Sequence, residues 1–510
     1  MARVELAKSS LTGVAQFIVS GLLVIVTIPL FIRYLGEEAY GLFSLVALIG
    51  SVNTFANLGL NSALIRFLAE QGKTVESDHD IIVNLVILLT IVCPLAVLGL
   101  IFRNAILIHV LNVPVHLLHD AQWLFVAMLA SNVLVLLGQT FTAIMDSQQK
   151  IYLTNLFQMI YNVAYWGLIL LALILGYAIQ GVAVGTFAAT VLWFSIVSIT
   201  ALRFWGRLTF AGLALNGARS ARKQLAYGLQ IYAGGIVGLF HEPLTKILLS
   251  RFVGIAEVGI FDIGMRARGQ VVGLMMKLLS PLYPAISQLK DREKVRFLVH
   301  DIEQKTFMII TPIAAMVILA TQPVAQLMFH SNVDAISVTA ASLVVAYLLG
   351  STTVLPLYLF LLSKGHASRT IVIQVLNVLV NAAVFLVLIG WLGYYAVVVS
   401  GVAAILSSFA LSVYYQKKFL DSYIFDSLRQ ASFVLLAFVL ALGAGYFMSG
   451  MFESVVWKLI IPPLLVAGVT GFLYRSFSLV TSADIVRYLG DRGWLSRIST
   501  RFLCTENSGR

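Results

Sequence analysis

Polar residues along this chain come in short clusters, and between them lie apolar runs near twenty residues long. A helix of about 20 apolar residues crosses the roughly 30 Å hydrocarbon layer of a bilayer. Six such runs open the chain, at Leu11–Ile32, Tyr40–Ile65, Ile81–Phe102, Ala121–Ile144, Tyr152–Leu175 and Ile179–Leu202. Six more follow at Gln224–Ser250, Ala256–Tyr283, Thr306–Phe329, Ile336–Leu362, Thr370–Gly390 and Tyr394–Tyr415. Ser432–Met448 and Val455–Tyr474 bring the total to fourteen, the last one interrupted by Pro462 and Pro463. No strands are evident. In lipid every backbone amide needs an internal partner, which a helix supplies within one segment. The pattern predicts an all-α integral membrane protein of about fourteen transmembrane helices.

Composition supports that class. Hydrophobic residues make up 60% of the 510 and charged residues 11%, against roughly 25% charged in soluble domains. The net charge of +11 would suggest nucleic acid until its placement is read. Of the 34 Lys and Arg, 26 fall in loops and tails on the side of the N-terminus and 4 on the other, at Arg33, Arg103, Arg251 and Lys458. That asymmetry puts both termini in the cytoplasm. The first run is too long for a signal-peptide core and reads as a retained span. Cys93 and Cys504 give no disulfide or metal framework. The longest external connection, Arg103 to Asp120, leaves no room for an external domain. On the inner side, Phe204, Trp205, Leu208 and Phe210 beside Arg203 and Arg207 suit either an in-plane interfacial helix or a solvated loop.

The two halves repeat. Arg33-Tyr34-Leu35-Gly36 and Gly41-Leu42-Phe43 recur 218 positions later as Arg251-Phe252-Val253-Gly254 and Gly259-Ile260-Phe261. Asn155, Gln158 and Asn162 recur at an offset of 219 as Gln374, Asn377 and Asn381. This predicts two pseudo-symmetric six-helix bundles, residues 1–202 and 224–416, joined by a basic linker at 203–223. An extra helix pair occupies 417–475 and a basic cytoplasmic tail 476–510. Transporters are often built so, with the substrate between the repeats.

The remaining 4 basic residues, Lys246, Arg266, Arg268 and Lys277, sit inside apolar runs. A cation at membrane depth costs a few kcal/mol or more, so it faces a partner or a wet cavity. Asp262, Arg266, Gln270, Gly273 and Lys277 are spaced 4, 4, 3 and 4 apart, one stripe of a helix. An arginine fork grips phosphate oxygens with two hydrogen bonds, while lysine acts as a point charge. A cationic ladder therefore suits a phosphate-bearing ligand, although Asp262 could instead pair with Arg266. Arg268 points away from the stripe. His241, Glu242 and Asp262 are candidates for exchanging a coupling ion, and Glu242 could equally just neutralise Lys246. His241 is a relay or a core histidine. Asn53, Asn57 and Asn61 form an amide stripe that either bonds neighbouring helices or lines a sugar path. In the first half the positions matching Arg266 and Lys277 are Leu48 and Gly59, so anion binding should fall to the second half. No nucleotide-binding loop, metal cluster or nucleophile with a base is legible. The expectation is a non-enzyme without cofactors, powered by a gradient.

The opening segment Leu11 to Glu70, with Pro29-Leu30-Phe31-Ile32-Arg33-Tyr34-Leu35-Gly36 and Tyr40-Gly41-Leu42-Phe43, resembles polysaccharide flippases of the Wzx type. These belong to the multidrug/oligosaccharidyl-lipid/polysaccharide exporter superfamily. The resemblance implies alternating access and a cargo of undecaprenyl-diphosphate-linked oligosaccharide, flipped across the bacterial inner membrane. It also implies H+ or Na+ antiport, and a glycan polymerase and glycosyltransferases as pathway partners. A drug or cation antiporter of the same superfamily is the first alternative, disfavoured by the positive residues. A membrane glycan polymerase is the second, disfavoured by the missing external loop.

Overall fold

A computed structural model describes residues 2–50, 56–233, 240–279, 291–328, 332–364, 366–421 and 428–476. Regular structure among them is helical throughout. The principal helices are α1 (Ala2–Leu35), α2 (Glu37–Val46), α3 (Leu60–Gln71), α4 (Val75–Ile101), α5 (Leu118–Ser147), α6 (Ile151–Ile174), α7 (Ala178–Trp205) and α8 (Leu213–Ala233). They continue with α9 (His241–Phe252), α10 (Ile255–Leu279), α11 (Arg292–Met328), α12 (Val333–Ser363), α13 (Ala367–Leu392), α14 (Ala396–Leu420), α15 (Leu428–Gly450) and α16 (Val455–Ser476). The described residues of the fourteen apolar runs fall on these helices, the second run reaching both α2 and α3 and the seventh both α8 and α9. Eight helical stretches among the described residues are long and apolar enough to cross a membrane, or ten if two bent pairs count as spans.

Two expectations need correction. The second run is not one helix. It ends as α2, tightens into a 3-10 turn at Ala47–Gly50, and resumes as α3 after Leu58 and Gly59, both with positive φ. Gly59 has a physical reason to be glycine: a Cβ there would lie 2.4 Å from the carbonyl oxygen of Gly228 on α8. The seventh run reaches from α8 to α9, and residues 234–239 between them lie outside the described residues. Finally, the Phe204–Phe210 segment is not an interfacial helix of its own. Trp205 ends α7, buried with Phe141 and Trp193, and residues 206–210 have no regular structure before α8 begins. Asn53, the side chain of Lys277 and the tail beyond Ser476 lie outside the described residues.

The chain divides into two compact units, Met1–Asp262 and Ile263–Arg510, with the division inside α10. In the first, α7 packs along both α5 and α6. In the second, α14 packs in the same way along α12 and α13. Helix limits follow the repeat: α2 and α10 start 218 residues apart, as do α7 and α14. Gly36 and Gly254, the paired turn glycines, both have positive φ, a region that residues with a Cβ rarely enter. The C-terminal pair packs on α11, where the Tyr474 hydroxyl donates to the Met308 carbonyl. Large apolar side chains, among them Leu95, Val97, Leu98 and Ile101 of α4, stay exposed on the outer surface. In water such a surface would aggregate; in a bilayer it is the solvent-facing side.

Candidate functional site

The charged interior is built where α9 turns back into α10. Glu242 and Lys246 are i,i+4 neighbours on α9, so their side chains share a face. The turn at Val253 and Gly254 then brings Asp262, two turns into α10, against that face. Lys246 Nζ lies 2.7 Å from Glu242 Oε1 and 2.7 Å from Asp262 Oδ1. The Tyr40 hydroxyl of α2 donates to the other oxygen, Asp262 Oδ2, at 2.7 Å. Lys246 is 3% exposed, whereas the Glu242 side chain is 44% exposed. One cation thus meets two carboxylates, one of them open at the edge. Charge-assisted bonds of this kind are about twice as strong as neutral ones, and they offset the cost of burying Lys246.

The two copies of the repeated glycine motif meet beside this network. A Cβ on Gly41 would lie 2.0 Å from the Ile255 carbonyl oxygen. One on Gly259 would lie 3.1 Å from the Tyr40 ring and 3.2 Å from the Gly41 backbone. Only two glycines allow α2 and the first turns of α10 to cross this closely, and the crossing delivers Tyr40 to Asp262.

The other sequence-predicted residues have different surroundings. Arg266 is half-buried one turn beyond Asp262 on α10. Arg268 turns toward α12, with its guanidinium 4.6 Å from the centre of the Tyr347 ring and a bond to Met265 Sδ. Gln270 is half-buried, as is His241, whose carbonyl accepts from the Thr245 hydroxyl. Asn57 and Asn61 both donate to Gln139 Oε1 of α5, each at 2.8 Å. The structure therefore gathers Glu242, Lys246 and Asp262, and sets Arg268 and the amide stripe in separate environments.

Two features had no place in the sequence reading. Tyr40 is the first, although it stands within the repeated motif. The second is a polar cluster at the start of α4. Asp78 accepts from Trp205 Nε1 at 2.7 Å and from the Thr209 amide at 3.0 Å. His79 Nε2 bonds the Ala211 carbonyl, and Asp80 binds Lys223 at 2.8 Å. Three consecutive residues thereby pin the connection between α7 and α8. The run Ser77-Asp78-His79-Asp80 at a helix start was the available signal.

Apolar helices with a charged, internally paired interior define a multi-pass membrane protein, and its fold is that of membrane transporters. The lipid II flippase MurJ in an inward closed conformation matches with a TM-score of 0.68, 16% identity, and coverage of 92% of this chain and 99% of that one. A MATE transporter of Vibrio cholerae, VcmN, matches at 0.58 with 15% identity, over 84% of this chain and 99% of its own. An inward-facing multidrug resistance MATE family transporter of the MOP superfamily gives 0.59 and 15%, over 82% and 98%. No curated protein sequence matches. Residues 6–290 match the family model described as polysaccharide biosynthesis protein. The chain belongs to that family.

Proposed function

We propose that this protein flips an undecaprenyl-diphosphate-linked oligosaccharide from the inner to the outer leaflet of the bacterial inner membrane by alternating access. Both termini face the cytoplasm, and a proton or sodium gradient supplies the energy. Glycosyltransferases and a glycan polymerase of the same pathway supply and consume the cargo. One observation carries the reading: in a chain of the polysaccharide biosynthesis family, α9 and α10 hold Lys246 out of solvent between Glu242 and Asp262, with Arg266 half-buried one turn further along.

The residues take distinct roles in this reading. Arg266, with Lys277 on the same stripe and Gln270 between them, receives the diphosphate. Arg268, stacked on Tyr347, supports that stretch of α10 and adds positive potential. Lys246, already held by two carboxylates, joins Glu242, Asp262 and His241 in ion coupling and becomes available to an anion only when those bonds open. Asn57 contributes to the sugar path.

Arg266→Ala tests the assignment. Surface glycan export should cease at an unchanged protein level, with lipid-linked units accumulating on the cytoplasmic face, and Arg266→Lys should recover part of it. Normal export by the alanine variant would remove the residue from this role. Single lipid-linked units collecting on the outer face would point to a polymerase, and efflux of cationic dyes to a drug antiporter.

A further inference from the structure

We propose that a crevice between α4 and α5 holds the polyprenyl chain of the flipped lipid phosphate in the outer leaflet, with the phosphate on Arg103. The identity of the lipid and the outward direction of that end of α4 rest on the function proposed above.

The crevice has a volume of about 320 Å³, at the lower end of the range for small-molecule sites. Its walls include Val92, Leu95, Gly99 and Phe102 of α4 and Phe125 and Leu129 of α5, with Asn132 as the polar exception. A water needs two to four polar partners, which these walls do not supply. Leu95, Leu98 and Phe102 both line the crevice and are exposed at the surface, so the crevice is a branch of the apolar face α4 presents outward. Gly99 makes the space: a Cβ there would already come within 3.2 Å of Leu129 Cδ2.

The internal repeat shows what covers such a face elsewhere. α4 corresponds to α11 at the offset of 218, and α11 is flanked by α15 and α16. Met308, Ala315 and Leu319 of α11 are buried in clusters with residues of those two helices. Their counterparts on α4 are Thr90, Val97 and Ile101, all exposed. Gly99 itself corresponds to Val317, which packs into a core cluster of the second unit. So, among the described residues, the same helix face is covered by protein in one half and bare in the other, and on a membrane-crossing helix a bare apolar face meets the hydrocarbon of the bilayer. Arg103 gives the chain its headgroup. It follows Phe102 directly, is half-buried, and makes no ion pair among the described residues. It is also one of only 4 basic residues on that side of the chain.

The test uses full-length protein in vesicles with three photoactivatable probes: a polyprenyl monophosphate, an uncharged polyprenol and phosphatidylglycerol. The polyprenyl phosphate should label residues 92–102 and 125–133. Filling the crevice by Gly99→Trp or, independently, Ala96→Phe should cut that labelling about tenfold, the equivalent of about 1.4 kcal/mol. Arg103→Gln should weaken labelling by the phosphate probe and leave polyprenol unchanged. Labelling that survives both filling variants, or equal labelling by phosphatidylglycerol, overturns the proposal. Flipping measured in the same vesicles keeps the two readings apart. Wild-type protein that takes label in the crevice but moves no lipid-linked oligosaccharide removes the transport assignment and leaves the crevice standing.

Discussion

Lys246 shows how a single residue constrains its neighbours. Its ammonium is withdrawn from solvent, and the penalty for that is met by Glu242 and Asp262, each at 2.7 Å. Removing the cation leaves two carboxylates facing each other, with the Tyr40 hydroxyl donating to Asp262. Breaking one partner out of a buried ion pair costs about 3–5 kcal/mol. Lys246→Met should therefore lower unfolding stability in detergent by that order, read as a drop in thermal midpoint. Tyr40→Phe removes one hydrogen bond to a buried carboxylate and should cost about 1–3 kcal/mol. The triple change Lys246→Met, Glu242→Gln, Asp262→Asn discharges the site together and should recover most of the loss. If Lys246→Met melts like the unsubstituted protein, the network contributes nothing. Of this site, the Glu242–Lys246 pair was legible in sequence because both lie on one helix at spacing four. The Tyr40–Asp262 bond joins residues 222 positions apart, and spacing within a helix says nothing about which helix it will touch.

Among elements, the α2–α10 crossing is the tightest constraint described. Gly41 has its would-be Cβ 2.0 Å from a backbone carbonyl, an atom that cannot rotate aside as a side chain does. Gly41→Ala should force the helices apart, separate Tyr40 from Asp262 and lower the melting temperature by several degrees, in keeping with an overpacking cost of about 1–3 kcal/mol. Gly167→Ala on α6, where a Cβ would meet nothing within 4 Å, is the matched control and should not destabilise. Equal effects would mean that helix propensity, not the crossing, sets the result. The repeat marks these two glycines in the sequence, since Gly41 and Gly259 hold matching positions in the two halves, but the close approach that needs them is visible only in the fold. The break in the second run has no such mark. Hydrophobicity is continuous from Tyr40 to Ile65, and nothing in it marks Leu58 and Gly59 as the place where the backbone turns left-handed. Helix ends were legible where a repeated turn glycine marked them, as at Gly36 and Gly254.

At the scale of the whole molecule the governing asymmetry is charge. The side of the N-terminus holds 26 of the 34 basic residues and the other side 4. Several of the 26 are fastened by neighbours on the same side: Lys73 and Lys223 bind Asp78 and Asp80, and Lys150 sits 3.5 Å from the centre of the Phe204 ring. In the orientation proposed above these cations stay on the cytoplasmic side, because translocating them across the bilayer is costly. The matching prediction uses single cysteines in a Cys93→Ala, Cys504→Ala background, probed with a thiol reagent that cannot cross the membrane. A cysteine replacing His116, an exposed residue paired with Glu38 across the connection from α4 to α5, should react in intact cells. One replacing Lys150 should react only after the membrane is opened. The reverse pattern would invert the orientation. It would put Arg103 and the α4 crevice in the inner leaflet, where the same site could then only receive lipid before transport rather than after it.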